Sequence, residues 1–215
     1  MASLLGLLAS TLGGPSLAAP ALVPGVRTSG KPVSSGSWVR YSFYRPGQPV
    51  ALVRMAALER VGKAQWFEVS LTLRRGQTLV FKSLVEGDLG QPRRVLKMIV
   101  RAPGQVPMLL PEALARKRLP RLETQSPGTL VGKGPLRVPA GRFAAMHYRR
   151  TKGQKGQKRQ TVEDLWLSKA IPGWPLLRYR AAGVRVELVA WGQGAQSAIT
   201  RQPVKLDPRL IRGMK

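Results

Sequence analysis

The chain of 215 residues contains no cysteine and a single histidine, His147. Without cysteine it cannot form disulfides, thiolate zinc sites, cysteine-ligated iron–sulfur clusters or a thiol nucleophile. Acidic residues are also scarce, because 10 Asp and Glu stand against 36 Lys and Arg and leave a formal net charge of +26. This balance excludes an acidic solvating protein and predicts attraction to anionic partners.

The chain does contain enough apolar material for a core, together with many turn formers. Hydrophobic residues make up 43% of the sequence. The 23 glycines and 18 prolines together make about 19% of the chain, above the usual share of roughly 12% but below the range typical of disorder. The composition therefore predicts one turn-rich, cationic globular domain.

The N-terminal segment has the pattern of a secretory signal peptide over residues 1–21. It combines a short apolar run at 4–8 with a small-residue stretch at 16–21. It departs from the usual pattern because no Lys or Arg precedes the apolar run, and that run is far shorter than the roughly 20 residues of a membrane-spanning helix. We expect a flexible leader over 22–36 and a periplasmic or secreted protein. The alternative is a floppy leader on a cytosolic protein.

Between residues 37 and 192 apolar and polar residues alternate, which is the period-2 pattern of half-buried strands. In the clearest case Phe67, Val69, Leu71 and Leu73 share one face. The same pattern predicts strands at 94–101 and 184–191 and, more weakly, at 38–44, 50–58, 78–85, 142–149 and 161–168.

Turn signals separate these strands, with Pro-Gly pairs at 46–47, 103–104, 127–128 and 172–173. Residues 111–118 are predicted to form a helix, since they start on Pro, carry an early Glu and end in cations. The expected fold is mainly β, a single strongly curved antiparallel sheet (a half-barrel or barrel-like meander) with one short helix. It forms a β-domain over 37–200, followed by a basic C-terminal tail over 201–215.

Short motifs give the chain a family likeness over roughly residues 36–200. The first half contains Gly36–Tyr41, the strand around Trp66 and the segment 84–88; the second half contains 138–143, 164–168, 171–176 and 187–192. The second half reads "PAG-x-F … W-x-S … P … ELV-x-x-G" and resembles uncharacterised deltaproteobacterial-type exported β-proteins. The layout is also similar to the LolA/LolB lipoprotein-carrier group. That resemblance implies a curved sheet that holds acyl chains in its concavity, and it brings no catalytic residue.

Candidate catalytic groups are few and isolated. His147 alone cannot build a multi-histidine metal site, and we expect it to face the sheet surface. Glu163 and Asp164 are neighbours in a predicted strand, so they point to opposite faces and cannot flank one bond. Segment 128–134 mimics a phosphate loop, but it is one residue short and lacks the following Ser or Thr. We therefore expect no enzyme activity, no catalytic residue, no metal site and no cofactor.

The densest cationic run is 149–159, which carries six cations and no acid between two predicted strands. Such a loop can grip phosphates or anionic headgroups. We assign anion binding to its later cations, Lys152, Lys155, Lys158 and Arg159.

The five tryptophans fall into two groups. Trp38, Trp66, Trp166 and Trp191 lie in predicted strands and are expected to pack or to line a concavity. Trp174 follows a Pro-Gly turn, so we expect it to be exposed, where it can touch a membrane interface or a ligand.

These features predict an exported, non-catalytic envelope protein that binds an amphipathic anionic ligand such as a lipid or lipoprotein acyl chain. The predicted apolar ligand face consists of Phe67, Val69, Leu71, Leu73, Leu96, Met98 and Val100. The charge also allows an anionic membrane surface as partner. Two alternatives stay open: a cytosolic nucleic-acid-binding β-barrel with a basic tail, and a structural envelope protein without a small ligand.

Overall fold

The structure is a computed structural model that describes residues 33–73, 76–88, 91–112, 127–152 and 161–205. The strands are β1 (Trp38–Tyr44), β2 (Ala51–Val61), β3 (Ala64–Thr72), β4 (Thr78–Asp88), β5 (Gln91–Arg101), β6 (Met108–Leu109), β7 (Thr129–Val138), β8 (Gly141–Lys152), β9 (Thr161–Leu167), β10 (Leu176–Ala181), β11 (Val184–Gly192) and β12 (Val204–Lys205).

All these strands belong to one sheet with the order β12-β6-β5-β4-β3-β2-β1-β11-β10-β9-β8-β7. The pairs are antiparallel except for β12 and β6, which run parallel. The outermost strands β12 and β7 do not pair with each other, so the sheet is open. This confirms the prediction of a mainly β chain built on a single, largely antiparallel sheet. The predicted helix over 111–118 lies almost entirely outside the described residues.

Side chains alternate between two faces of the sheet, as the period of the strand backbone requires. We call the face that carries Val39, Tyr41, Leu165 and Leu188 the inner face, and its opposite the outer face. The inner face holds the main core. The strand register places core side chains next to one another across the sheet, since Tyr41 stands opposite both Val53 and Leu188. All the strands that alternation predicted are present.

Strand β7 was not predicted, because its residues include Gly132, Gly134 and Pro135, which are depleted in strands. It forms the edge of the sheet and pairs only with β8, and most of its side chains are exposed. An edge strand tolerates proline because one row of its backbone groups has no partner strand. The local sequence therefore does not indicate a strand here, and pairing with β8 is what makes this segment a strand.

The sheet curls toward its inner face. The turn between β7 and β8 reaches β11, where the Ala140 backbone N–H donates to the Leu188 carbonyl at 3.2 Å. Residues 33–36, expected to belong to a flexible leader, are part of this fold. Val33 is buried in the main core, and the Gly36 N–H donates to the Ala57 carbonyl at 2.7 Å.

After β11 the chain crosses the outer face as a segment that we call the strap, residues 193–205. It begins where Trp38 Nε1 donates to the Gln193 carbonyl at 3.2 Å. Its Ile199 is buried in a small cluster with Val80 and Ile99. It ends in β12, which pairs with β6. The start of the predicted basic tail thus belongs to the sheet.

Candidate functional site

A strip of half-buried apolar side chains runs along the inner face of β3 and β4. Val69 and Leu71 on β3 stand directly opposite Phe81 and Leu79 on β4. Leu73 follows at the end of β3, where its N–H donates to the Gln77 carbonyl at 2.9 Å. We call Val69, Leu71, Leu73, Leu79 and Phe81 the apolar strip. Its β3 members are three of the predicted ligand residues, and all five side chains are partly open to solvent.

The neighbouring predicted residues Phe67, Met98 and Val100 form the buried floor beside this strip. Phe67 belongs to the main core. Met98 and Val100 pack with Val95 in a second, smaller cluster, against Leu79 and Phe81 of the strip. These three residues therefore position the strip and do not themselves face solvent.

Leu96 does not join this cluster, although alternation predicted that it would share a face with Met98 and Val100. The register of β4 and β5 shifts so that Lys97 stands opposite Leu84 and Val95 opposite Val85, which leaves Leu96 without a partner on β4. A bulge of this kind inserts one residue and reverses the alternation beyond it. Val95 consequently packs with Met98, and the assignment of Leu96 to the ligand face is corrected.

The strip differs from the centre of the inner face in how far it is covered. Val39, Leu165 and Leu188 at the centre are each 0% exposed, whereas the strip is only half-buried. A ligand laid on the strip removes apolar surface from water and gains about 25 cal/mol for each Å² covered. A packed centre offers no such gain.

Trp174 is buried, which corrects the expectation that it is exposed. It is 7% exposed, and its indole Nε1 donates to Ser37 Oγ at 3.2 Å. The Pro-Gly turn before it folds onto the N-terminal segment, where a Cβ on Gly173 would lie 2.7 Å from Val33 Cγ2. The turn therefore packs against the protein, and Trp174 is not available to a membrane or a ligand.

Of the four cations assigned to anion binding, the structure describes only Lys152. Lys152 is the last residue of β8, and five strands separate β8 from β3 in the sheet. Lys155, Lys158 and Arg159 lie outside the described residues.

The sequence did not reveal a cluster on the outer face around Trp166 of β9. His147 of β8 stacks on this indole with ring centroids 4.3 Å apart and an interplanar angle of 6°. Arg178 and Arg180 of β10 flank the ring from the other side, each guanidinium 5.7 Å from the ring centroid. Since both sides of the ring are occupied, Trp166 is not a free platform on which a nucleic-acid base could stack.

Asp164 completes this cluster on the strand next to His147. Its Oδ1 lies 2.8 Å from His147 Nε2 and accepts from Arg149 Nε at 2.9 Å. Partial burial acts to raise the pKa of Asp164, but the hydrogen bonds and charges of Arg149 and His147 outweigh it and hold that pKa below its ordinary value. Asp164 is therefore a neutralising partner for two basic groups.

Glu163 points to the inner face, which confirms that the two adjacent carboxylates diverge. It is buried and pairs with Arg150. Burial, followed by the charge and hydrogen bond of Glu163, raises the pKa of the neighbouring Tyr179 to about 12. Glu163, Arg150 and Tyr179 thus form a polar cluster at the edge of the main core.

The described part of the chain contains no assembled catalytic or metal-binding group. His147 has the Asp164 carboxylate and the Trp166 ring as partners there, and no Ser or Thr hydroxyl hydrogen-bonds to it. In the same residues no three His, Cys, Asp or Glu side chains lie close enough to hold a metal ion, and no helix is long and apolar enough to cross a membrane.

Comparisons with known proteins give weak likenesses. No family model matches the chain, and no curated protein matches it. A protein assigned as exported, with a YmcC-like fold, from Bacteroides fragilis is 11% identical with a TM-score of 0.40, and the match covers 76% of this chain and 98% of that chain. A protein assigned as a lipoprotein from Parabacteroides distasonis is 10% identical with a TM-score of 0.36 and coverages of 75% and 97%.

A third solved structure, MucB in complex with MucA(peri), is 14% identical with a TM-score of 0.32, and the match covers 79% of this chain and 54% of that chain. Since all three TM-scores lie below 0.5, nothing about the activity or partner of this chain is taken from these likenesses. None of the three is described as a LolA/LolB carrier or as deltaproteobacterial, so both resemblances remain predictions.

Proposed function

We propose that this chain is an exported, non-catalytic protein of the cell envelope that binds an amphipathic anionic ligand, such as a lipid or a lipoprotein acyl chain. The observation that carries the proposal is the apolar strip, five half-buried apolar side chains that adjoin one another on β3 and β4. The signal-peptide pattern over residues 1–21 supports export.

The strip has the size to bind part of an alkyl chain. Val69 to Leu73 spans four residue steps of a strand, about 13 Å. A ligand that buries about eight methylenes there gains about 6 kcal/mol of transfer free energy, and the binding free energy is this gain less the cost of association. An anionic headgroup adds to this where cations meet it, and the proposal keeps Lys152, Lys155, Lys158 and Arg159 in that role.

The test compares two adjacent substitutions on opposite faces of β3. Leu71→Asp places a charge in the apolar strip, whereas the matched control Thr72→Asp places the same charge on the outer face, opposite Thr78. Binding of a dansyl-labelled fatty acid is measured by fluorescence titration. We expect Leu71→Asp to weaken binding at least tenfold and Thr72→Asp to leave it within twofold.

The fold of each variant is checked by circular dichroism, and Leu73→Asp replaces Leu71→Asp if the latter does not fold. Equal affinity in the two variants would contradict binding on the strip. No saturable binding by the unsubstituted chain, with no lipid adduct in native mass spectrometry, would favour a structural envelope protein.

Nucleic-acid binding is the alternative that the net charge of +26 favours. It predicts affinity for duplex DNA that falls steeply with salt. The enclosure of Trp166 removes one aromatic platform for it. Tight, salt-dependent DNA binding together with no lipid binding would replace the proposed function with this one.

A further inference from the structure

One end of the sheet combines exposed apolar side chains with an excess of cations over acids. At this end β1 and β10 finish and β2 and β11 begin. The two turns adjoin, since a Cβ on Gly183 would lie 3.6 Å from Pro46 Cδ. We call Tyr44, Arg45, Val50, Val162, Arg180 and Arg185 the cationic rim.

The apolar part of the rim is unusually open to solvent. Tyr44 is 42%, Val50 53% and Val162 45% exposed. Of the nine large hydrophobic residues that are exposed in the described part of the chain, six lie at this end of the sheet: these three together with Val106, Leu130 and Val131. Single exposed apolar residues are normal, but their concentration at one end indicates an interaction surface.

The charged part of the rim has an excess of guanidinium groups. Arg180 and Arg185 stand directly opposite each other on β10 and β11, and like charges in that position destabilise a sheet. The nearest acid along this row, Asp164, already accepts from Arg149. Arg185 lies 3.7 Å from Glu187, which also accepts from Arg178 at 2.7 Å.

A surface depression of about 390 Å³ lies between the two turns and joins these groups. Its lining includes Tyr44, Val162, Arg180 and Arg185. Turn residues 45–50 and 182–183 contain no acid. The depression is therefore an open pocket with apolar walls, two guanidinium groups and one carboxylate, Asp164, which already accepts from Arg149. The excess of guanidinium groups suits an anionic group attached to apolar material.

The β10–β11 turn keeps an apolar residue at its tip at a conformational cost. Ala182 has a φ of 33° and is followed by Gly183 with a φ of 79°. Asn, Asp or Gly usually occupies the first position of such a turn, because alanine in a left-handed conformation costs about 1–2 kcal/mol. The turn thus presents a methyl group where a polar side chain would be more stable.

We infer that the cationic rim docks on the surface of a bilayer that contains anionic lipids. The apolar side chains enter the interface, and Arg180 and Arg185 pair with lipid phosphates, which relieves their mutual repulsion. Nucleic acid fits less well because the aliphatic side chains of Val50 and Val162 can neither hydrogen-bond to a phosphate nor stack on a base. The inference goes beyond the proposed function, since it concerns the end of the sheet and not the apolar strip.

The first test is sedimentation of the full chain with vesicles of phosphatidylcholine containing roughly one-third phosphatidylglycerol. Arg180→Ala with Arg185→Ala is compared with Lys63→Ala and Arg142→Ala, which remove two exposed cations at the opposite end. We expect the loss of Arg180 and Arg185 to lower partitioning onto the vesicles about thirtyfold, which is about fivefold for each cation. The loss of Lys63 and Arg142 should lower it less than threefold.

The second test separates docking from general charge attraction. Val50→Glu and Val61→Glu place the same charge at two valines that are each 53% exposed, at opposite ends of the sheet. We expect only Val50→Glu to reduce vesicle binding. Equal effects of the two substitutions would overturn the inference, and so would equal binding to vesicles of pure phosphatidylcholine. It would also be overturned if the variant with both Arg180→Ala and Arg185→Ala lost duplex DNA binding while keeping vesicle binding. Fatty-acid binding is measured in parallel, so failure of rim docking is distinguishable from failure of the proposed function.

Discussion

Glu68 anchors the strap to the sheet, and its removal should destabilise the protein strongly. This carboxylate is 1% exposed. It accepts from Ser197 Oγ at 2.6 Å and from the Ala198 backbone N–H at 3.0 Å, and it lies 3.6 Å from the Arg54 guanidinium. Glu68→Ala deletes the acceptor for both donors of the strap.

The expected cost follows from these contacts. A hydrogen bond to a charged group contributes about 1.5–3 kcal/mol, and two strap donors lose their acceptor. Ser197 Oγ retains an alternative partner, the Ile199 carbonyl at 3.3 Å, and Arg54 is exposed enough to recover water. We therefore expect Glu68→Ala to lower the free energy of unfolding by about 3–4 kcal/mol, and Glu68→Gln, which keeps one oxygen, by about half as much.

The assay is unfolding in guanidinium chloride, followed by tryptophan fluorescence. The matched control is Glu59→Ala on β2, because the side chain of that glutamate is 59% exposed and forms an ion pair with Lys82 at 3.5 Å. It should cost less than about 0.5 kcal/mol. Limited trypsin digestion reports the strap directly, since release of the strap opens cleavage after Arg201.

A cost below about 1 kcal/mol for Glu68→Ala would refute the reasoning. So would an unchanged rate of cleavage after Arg201. If Glu68→Ala does not fold, Ser197→Ala tests the same contact, with an expected loss of about 1–2 kcal/mol.

Three further predictions concern individual side chains. Ala182→Asn should raise the free energy of unfolding by about 1 kcal/mol, because asparagine tolerates the positive φ of 33°; an unchanged denaturation midpoint would argue against strain in the turn. Because the pKa of Tyr179 is raised to about 12 in the fold, its contribution to stability is complete below pH 10 and is lost as pH rises toward 12. The free energy of unfolding should therefore fall less steeply with pH across that window in Tyr179→Phe than in the unsubstituted chain. The lowered pKa of Asp164 works in the opposite sense: its contribution is complete above the ordinary carboxyl pKa and is lost as pH falls below it. Asp164→Asn should therefore flatten the acid side of the stability profile, and an identical acid profile in the two proteins would contradict the ion cluster.

Much of the fold could be predicted because strand geometry is local. Alternation in 66–73 identified the face that carries Phe67, Val69 and Leu71, since neighbouring side chains in a strand must point to opposite sides. The same rule separated Glu163 from Asp164 without knowledge of their partners. The Pro-Gly pair at 46–47 predicted the β1–β2 turn for an equally local reason.

Predictions from alternation and turn signals were wrong where residues distant in the sequence changed the local structure. Leu96 does not join the cluster of Met98 and Val100, because a bulge against β4 reverses the alternation. Trp174 was expected to be exposed from its turn, but the turn packs on Val33. Strand β7 carries glycine and proline, and only its pairing with β8 makes it a strand.

By itself the sequence determined the class of fold, the positions of most strands and the excess of positive charge, because these depend on composition and on contacts between near neighbours. Only the tertiary structure decided which apolar residues stay half-open, where cations meet without acids, and that the strap covers part of the outer face. Those features join residues far apart in the chain, such as Glu68 with Ser197 and Arg185 with Tyr44. No local pattern encodes their distances, because they are set by the order in which the strands pair.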